Sequence, residues 1–174
     1  MLQSKRVTSD TDLRWHVVYT KPNQEKKVAH NLNLRYANAY LPVRKEIRFW
    51  SDRKKSILTP LFPGYIFVHL STKNRFRIFD VPGIIKFVGS NTTPATISDK
   101  ELNTIRRLET CGYPITEDQA EIGTLVKVTG GPLLGLTGRL LLRKGKKRFI
   151  VSIESIQKTL CVEVPGCWIE PVNV

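Results

Sequence analysis

Along Tyr65–Leu70 every second side chain falls on the same side of an extended backbone. Tyr65, Phe67 and His69 share one face, and Ile66, Val68 and Leu70 share the other. Both faces are largely apolar, so this strand needs cover on both sides. Just before it, Pro60, Pro63 and Gly64 bracket Leu61 and Phe62. Such a run cannot continue as helix or as a central strand, so the chain turns there. One face is core. For the other, the residues alone favour cover by the chain's own elements over a surface left open for a partner.

The flanking segments read in the same way. Trp15–Tyr19 is a short strand with Trp15, Val17 and Tyr19 on one face. Asn23 is the expected N-cap of a helix running to about Tyr36. Its inner stripe is Val28, Leu32 and Tyr36, and its outer face carries Lys26, Lys27, Asn31 and Arg35. The extended segment Tyr40–Trp50 and a strand at Ile57–Leu58 make a hairpin with a basic tip at Ser51–Lys55. A short helix is expected in Ser71–Phe79, a turn at Val81–Gly83 and a strand at Ile84–Val88. Ser98 and Glu101 have the spacing of a capping box, and the helix they open turns Leu102, Ile105 and Leu108 inward.

From Ile122 the texture changes to short strands separated by turn signals, the pattern of a small barrel. Val126 and Val128 face one way, as do Leu140 and Leu142. Phe149, Val151 and Ile153 alternate, and so do Leu160, Val162 and Val164. Lys144–Lys147 is a basic hairpin turn. Cys161 falls on the side of Glu163, outside the core. The order of elements predicts an α+β protein. A polar tail (1–14) precedes an antiparallel sheet sandwiched by helices (15–110). A linker (111–121) with Gly112 and Pro114 leads to a small SH3-like five-stranded β-barrel (122–174).

Charge sharpens this picture. The 174 residues carry 28 Lys+Arg against 15 Asp+Glu, a net +13. Residues 1–110 hold +11, the linker −3 and the carboxyl-terminal part +5. A basic body of this size points to a polyanion, most often nucleic acid. Cys111, Cys161 and Cys167 form no C-x-x-C pair, which fits reduced thiols in a cytoplasmic protein better than a disulfide framework or zinc site. No apolar run approaches the length of a membrane helix, and the N-terminus has no secretory h-region. Paired carboxylates, a His/Cys constellation and a phosphate loop ahead of a helix are all missing, so an enzyme is not expected. No cofactor or metal is implied. What remains is a nucleic-acid-binding protein, a ribosome- or RNA-binding one among them.

The chain resembles the NusG/RfaH family of transcription elongation factors. The resemblance rests on W-H-V-V-Y at Trp15, P-L-F-P-G-Y-I-F-V at Pro60, V-P-G-I-I-K-F-V-G at Val81 and P-A-T-I-S-D-K-E at Pro94. G-x-x-V-K-V-x-x-G-P-L-x-G-L-x-G at Gly123–Gly138, the KOW signature, extends it, so that about 155 residues are covered in order. R-F-W-S-D-R-K-K at Arg48–Lys55 looks like the specialised UpxY-type branch that accompanies capsular polysaccharide operons.

The resemblance implies a non-catalytic role. An amino-terminal NGN domain docks the clamp helices of the largest RNA polymerase subunit and suppresses pausing or termination. Tyr19, Phe62, Tyr65 and Phe67 fall where the docking aromatics lie, which implies that the second apolar face stands open. Lys21, Asn31, Arg35, Arg53, Lys54 and Lys55 are the positions it places near non-template DNA or a leader element. The KOW domain of the family contacts Rho or a small-subunit ribosomal protein, here through Leu133 and Ile156. General factors carry Gly-Arg in the loop where this chain has Ile156-Gln157-Lys158. Losing that glycine alters the permitted φ values and argues against Rho. The resemblance implies a monomer, and the β-branched alternation and Gly/Pro turns of residues 122–174 predict a stable β-barrel.

Overall fold

A computed structural model describes residues 13–35, 38–50, 53–90, 92–117, 123–143 and 146–172. The expected tail apart from Leu13 and Arg14, Tyr36, Ser51–Asp52 of the basic tip, Asp118–Glu121 of the linker and Lys144–Gly145 lie outside the described residues. In chain order the elements are β1 (Leu13–Thr20), α1 (Glu25–Arg35), β2 (Ala39–Tyr40), β3 (Val43–Phe49), β4 (Lys54–Pro60) and β5 (Tyr65–Ser71). There follow β6 (Ile84–Phe87), β7 (Thr96–Ile97), α2 (Asp99–Thr110), β8 (Ile115–Glu117) and β9 (Thr124–Val128). The last four are β10 (Thr137–Arg143), β11 (Lys146–Ile153), β12 (Lys158–Val162) and β13 (Ile169–Pro171).

The first sheet has the order β2-β5-β1-β6, with β7 also on β1. β1 and β5 run antiparallel from Leu13↔Ser71 to Tyr19↔Tyr65. Alternation sorts their side chains as the sequence requires. Val18, Ile66 and Val68 join Val28 and Leu32 of α1 in one buried cluster. Val17 and Phe67 join Leu102, Ile105 and Leu108 of α2 in another. The capping box on α2 is present, with Ser98 and Glu101 bonding each other's backbone N–H. Asn23 is not an N-cap: α1 begins at Glu25, and Asn23 sits two residues earlier with φ +62° in the turn. Ser71 instead caps the Thr72–Asp80 segment, which is a 3₁₀ helix.

β3 and β4 pair only with each other, from Val43↔Pro60 to Phe49↔Lys54. The second sheet runs β13-β9-β10-β11-β12-β8. Val126, Val128, Phe149, Val151, Ile153, Leu160, Val162 and Val164 are all buried in it, as the alternation predicts. Five strands are those expected; the sixth comes from the linker. There β8 pairs Thr116 with Cys161 across β12. That pairing corrects the reading of Cys161, which is 2 % exposed. Its two flanking strands place it opposite Ile150 and Thr116, and both sides of β12 are buried. Among the described residues no helix is long and apolar enough to cross a membrane.

Candidate functional site

The turn that opens β5 sets the site. Gly64 has φ +83°, and a Cβ there would lie 2.7 Å from the Tyr19 ring. Only glycine lets the turn approach that ring. The Gly64 N–H donates to the buried Glu25 carboxylate at 2.9 Å, tying the turn to the start of α1. Tyr19 and Tyr65, partners across β1 and β5, meet edge to face at 5.4 Å. Phe62 and Phe67 meet edge to face at 6.2 Å, and Tyr40 stacks on Phe67 at 6.2 Å.

The four predicted aromatics therefore line one side of the sheet, but they are not equally accessible. Tyr19 and Tyr65 are half-buried, whereas Phe62 and Phe67 have no exposed surface. The open face implied by the resemblance is not found at those two rings. They share a continuous buried cluster with α2 and with Val126, Phe149 and Val162 of the second sheet. Cover by the chain's own elements, which the residues alone favour, is what is observed.

α2 holds the second sheet through its polar side. The Glu101 carboxylate accepts from Ser155 Oγ at 2.6 Å and from the Ser155 N–H at 3.2 Å. Arg107 donates to the Pro132 carbonyl at 2.9 Å and the Leu134 carbonyl at 2.6 Å. Burial opposes ionisation of Glu101, but hydrogen bonds from Ser155 and Ser98 outweigh it and hold the carboxyl below its ordinary range. Lys158 of β12 stands over the Tyr65 ring, its Nζ 5.6 Å from the centroid. Leu133 and Ile156, the predicted KOW contact residues, are buried in the same cluster and lie beside the Arg107 and Ser155 contacts. Gln157, where general factors have glycine, still adopts φ +52°. The loop keeps its left-handed residue without glycine, at a cost of about 1 kcal/mol or more.

On the neighbouring edge, the Tyr40 phenol donates to Glu109. Burial first, then that bond, pushes it well above its ordinary pKa. The Arg106 guanidinium lies 5.4 Å from the Tyr40 ring centroid and 5.9 Å from that of Trp15.

The predicted nucleic-acid residues fall into two groups. Lys21, Asn31 and Arg35 belong to the turn and outer side of α1; Lys21 and Arg35 are exposed and Asn31 is half-buried. Arg35 Nη1 donates to the Asp80 carbonyl at 3.1 Å. Arg53, Lys54 and Lys55 are exposed at the end of the β3–β4 hairpin. Lys26 bridges the groups, with Nζ 2.5 Å from the Leu58 carbonyl. Sequence reasoning missed the apolar company of the second group. Ile47 is 61 %, Phe49 73 %, Trp50 64 % and Leu58 53 % exposed. The alternation of Ile47 and Phe49 was visible in the sequence; that nothing would cover it was not. Among the described residues no three His, Cys, Asp or Glu side chains are grouped to hold a metal ion.

Residues 13–106 match the family model described as "Transcription termination factor nusG". The chain is 26 % identical over 165 residues to the "Transcription termination/antitermination protein NusG" of Rickettsia felis, covering 87 % of this chain and 86 % of that protein. It is 27 % identical over 140 residues to the protein of the same description in Bacillus subtilis, covering 72 % and 79 %. The solved structure described as "Domain interaction in Thermotoga maritima NusG" superposes with a TM-score of 0.61 at 22 % identity, covering 94 % of this chain and 99 % of that one. This last likeness speaks to the fold.

Proposed function

The chain belongs to the NusG family of transcription termination and antitermination factors, which act with RNA polymerase, and from that premise we propose that it docks on the clamp helices of the largest polymerase subunit. Residues 15–110 form the docking NGN domain, 111–121 the linker and 122–174 the KOW domain. The observation that carries this reading is the half-buried Tyr19–Tyr65 pair at the rim of a sealed aromatic wall. Tyr65 and Tyr19 make the contact, while Phe62 and Phe67 support them from behind. Lys158 lies over Tyr65, so docking on that ring requires the barrel to move aside. The arrangement described above is then the closed form. Release exposes Leu133 and Ile156 for a small-subunit ribosomal protein.

The factor stabilises the closed polymerase clamp. A differential affinity of about 1–3 kcal/mol for that state shifts the pausing equilibrium several-fold to a hundred-fold. The two cationic groups hold the non-template strand or a leader element, with Lys and Arg on phosphate and Asn31 able to read a base edge. R-F-W-S-D-R-K-K at Arg48–Lys55 supports service to a polysaccharide operon as an antiterminator.

Tyr65→Ala tests the docking. Loss of an anchor ring in a desolvated contact costs about 2 kcal/mol, or about 30-fold in retention by polymerase on co-purification. Unchanged retention overturns the assignment. Phe62→Ala is a poor substitute, because a ring with no exposed surface takes about 3–5 kcal/mol of fold stability with it. Sedimentation with a ribosomal subunit and without polymerase would instead mark a ribosome-binding KOW protein.

A further inference from the structure

We propose that the outward face and the tip of the β3–β4 hairpin form a stacking platform for single-stranded nucleic acid, with Phe49 on the face and Trp50 at the tip as the stacking rings and Lys45 and Lys54 as the phosphate contacts. The inference rests on the nucleic-acid role proposed above and adds Phe49, Trp50 and Lys45 to it.

The register defines the face. Residues opposed across an antiparallel pair project to the same side. Val43 and Pro60, Lys45 and Leu58, Ile47 and Ser56, and Phe49 and Lys54 therefore share one face. The other face carries Arg44, Glu46, Ile57 and Thr59, all half-buried, and the exposed Lys55 toward the tip. It is tied to the body by Arg44 Nη1, which donates to the Ile115 carbonyl at 2.7 Å. Among the described residues no hydrogen bond from a side chain of the outward face ties it to the body, and Ile47, Phe49 and Leu58 are each more than half exposed on it. Trp50 follows Phe49 at the hairpin's tip, where its backbone N–H donates to the Arg53 carbonyl at 2.9 Å and alternation turns its ring away from the Phe49 face; it is 64 % exposed.

Chemistry selects the occupant. The described residues of this face include two lysines and no carboxylate, and Arg53 stands at the tip beside them. Lys54 Nζ lies 5.1 Å from the centroid of the Phe49 ring, so a cation already rests on the aromatic surface. Apolar rings interleaved with cations suit a ligand that is both planar and anionic, and a nucleic-acid strand is both. In a duplex each base face is occupied by its neighbours. Rings projecting from a hairpin can stack only on bases whose faces are free, which requires a single strand.

The test is fluorescence anisotropy with a labelled DNA strand about 12 nucleotides long, within the usual site size of such surfaces. Phe49→Ala and Trp50→Ala should each weaken binding about ten-fold while leaving the salt dependence unchanged. Lys54→Gln should instead reduce the slope of log K against log salt by about 0.7. Quenching of tryptophan emission by the strand should disappear in Trp50→Phe, whose ring still stacks. Wild-type affinity in both alanine variants overturns the proposal. So does equal competition by a duplex of the same length, or loss of anionic phospholipid vesicle binding with strand binding intact. The docking proposal fails separately: Tyr65→Ala should keep strand binding, and Phe49→Ala should keep polymerase retention.

Discussion

Phe67 and Phe49 both stand at alternating positions of a strand with an apolar residue two places before them, yet Phe67 has no exposed surface and Phe49 keeps 73 % of its own. The difference lies in what each strand pair is next to. β5 has β1 and β2 as neighbours and a helix against each side. β3 and β4 have only each other. A two-stranded hairpin is marginal alone in water. This one is held at its base, where the Val43 N–H donates to Glu109 at 3.0 Å and the Leu61 N–H to the Pro42 carbonyl at 2.8 Å. Two similar apolar patterns thus serve different ends. One makes the core, and the other leaves apolar surface exposed on a basic arm, where a binding use is the economical explanation.

The largest effect that could break this comparison is on stability. Phe67→Ala removes a ring packed by Phe62 and Tyr40 and should lower unfolding free energy by about 3–5 kcal/mol in urea denaturation. Phe49→Ala should stay within about 0.5 kcal/mol of the parent. Similar midpoints for the two variants would mean that the hairpin face is covered in solution.

Local chemistry was legible in the sequence, and long-range cover was not. The capping box at Ser98 and Glu101, the Val28–Leu32 stripe and the two faces of β5 each depend on residues within a few positions of one another, so spacing revealed them. Cys161 was misplaced because its burial depends on β8, a strand drawn from a segment whose Gly112, Pro114 and acidic residues read as linker. Phe62 was expected to be open on the resemblance alone, whereas the strand pattern beside it favoured cover; α2, some forty residues downstream, seals it together with the second sheet. Gln157 shows the opposite error. The missing glycine suggested a changed backbone, but Gln157 itself adopts the left-handed conformation there. Of the docking set, position on one face was readable; which rings lie at the rim was decided by packing.

A smaller effect sharpens the comparison from the covered side. Ser155→Ala removes the hydroxyl donor to Glu101 and leaves the Ser98 capping box intact. Loss of a hydrogen bond to a carboxylate costs about 1.5 kcal/mol. The contact between α2 and the second sheet should weaken, and small-angle scattering should report a larger radius of gyration. An unchanged radius would show that the apolar cluster alone holds the two together.

The smallest expected effect is that of acid on the same contact. Burial alone would raise the Glu101 pKa, but the Ser155 and Ser98 donors prefer the carboxylate and bring it below its ordinary value. A carboxyl held low in the folded chain binds its proton more readily when unfolded. It therefore adds stability above its ordinary pKa, about 4.3, and that contribution is lost as pH falls through the lowered folded value. From pH 8 to about 5 the contact should not respond; below about 4 it should loosen. Glu101→Gln isolates this contribution, because the amide does not titrate; its one oxygen keeps the donors of Ser155 or those of Ser98 but not both, so the variant starts from a lower stability at neutral pH. Its stability should fall less steeply in acid than that of the parent. If the two chains lose stability with the same slope, the Glu101 carboxylate is not what joins α2 to the barrel, and the aromatic wall is closed by apolar packing alone.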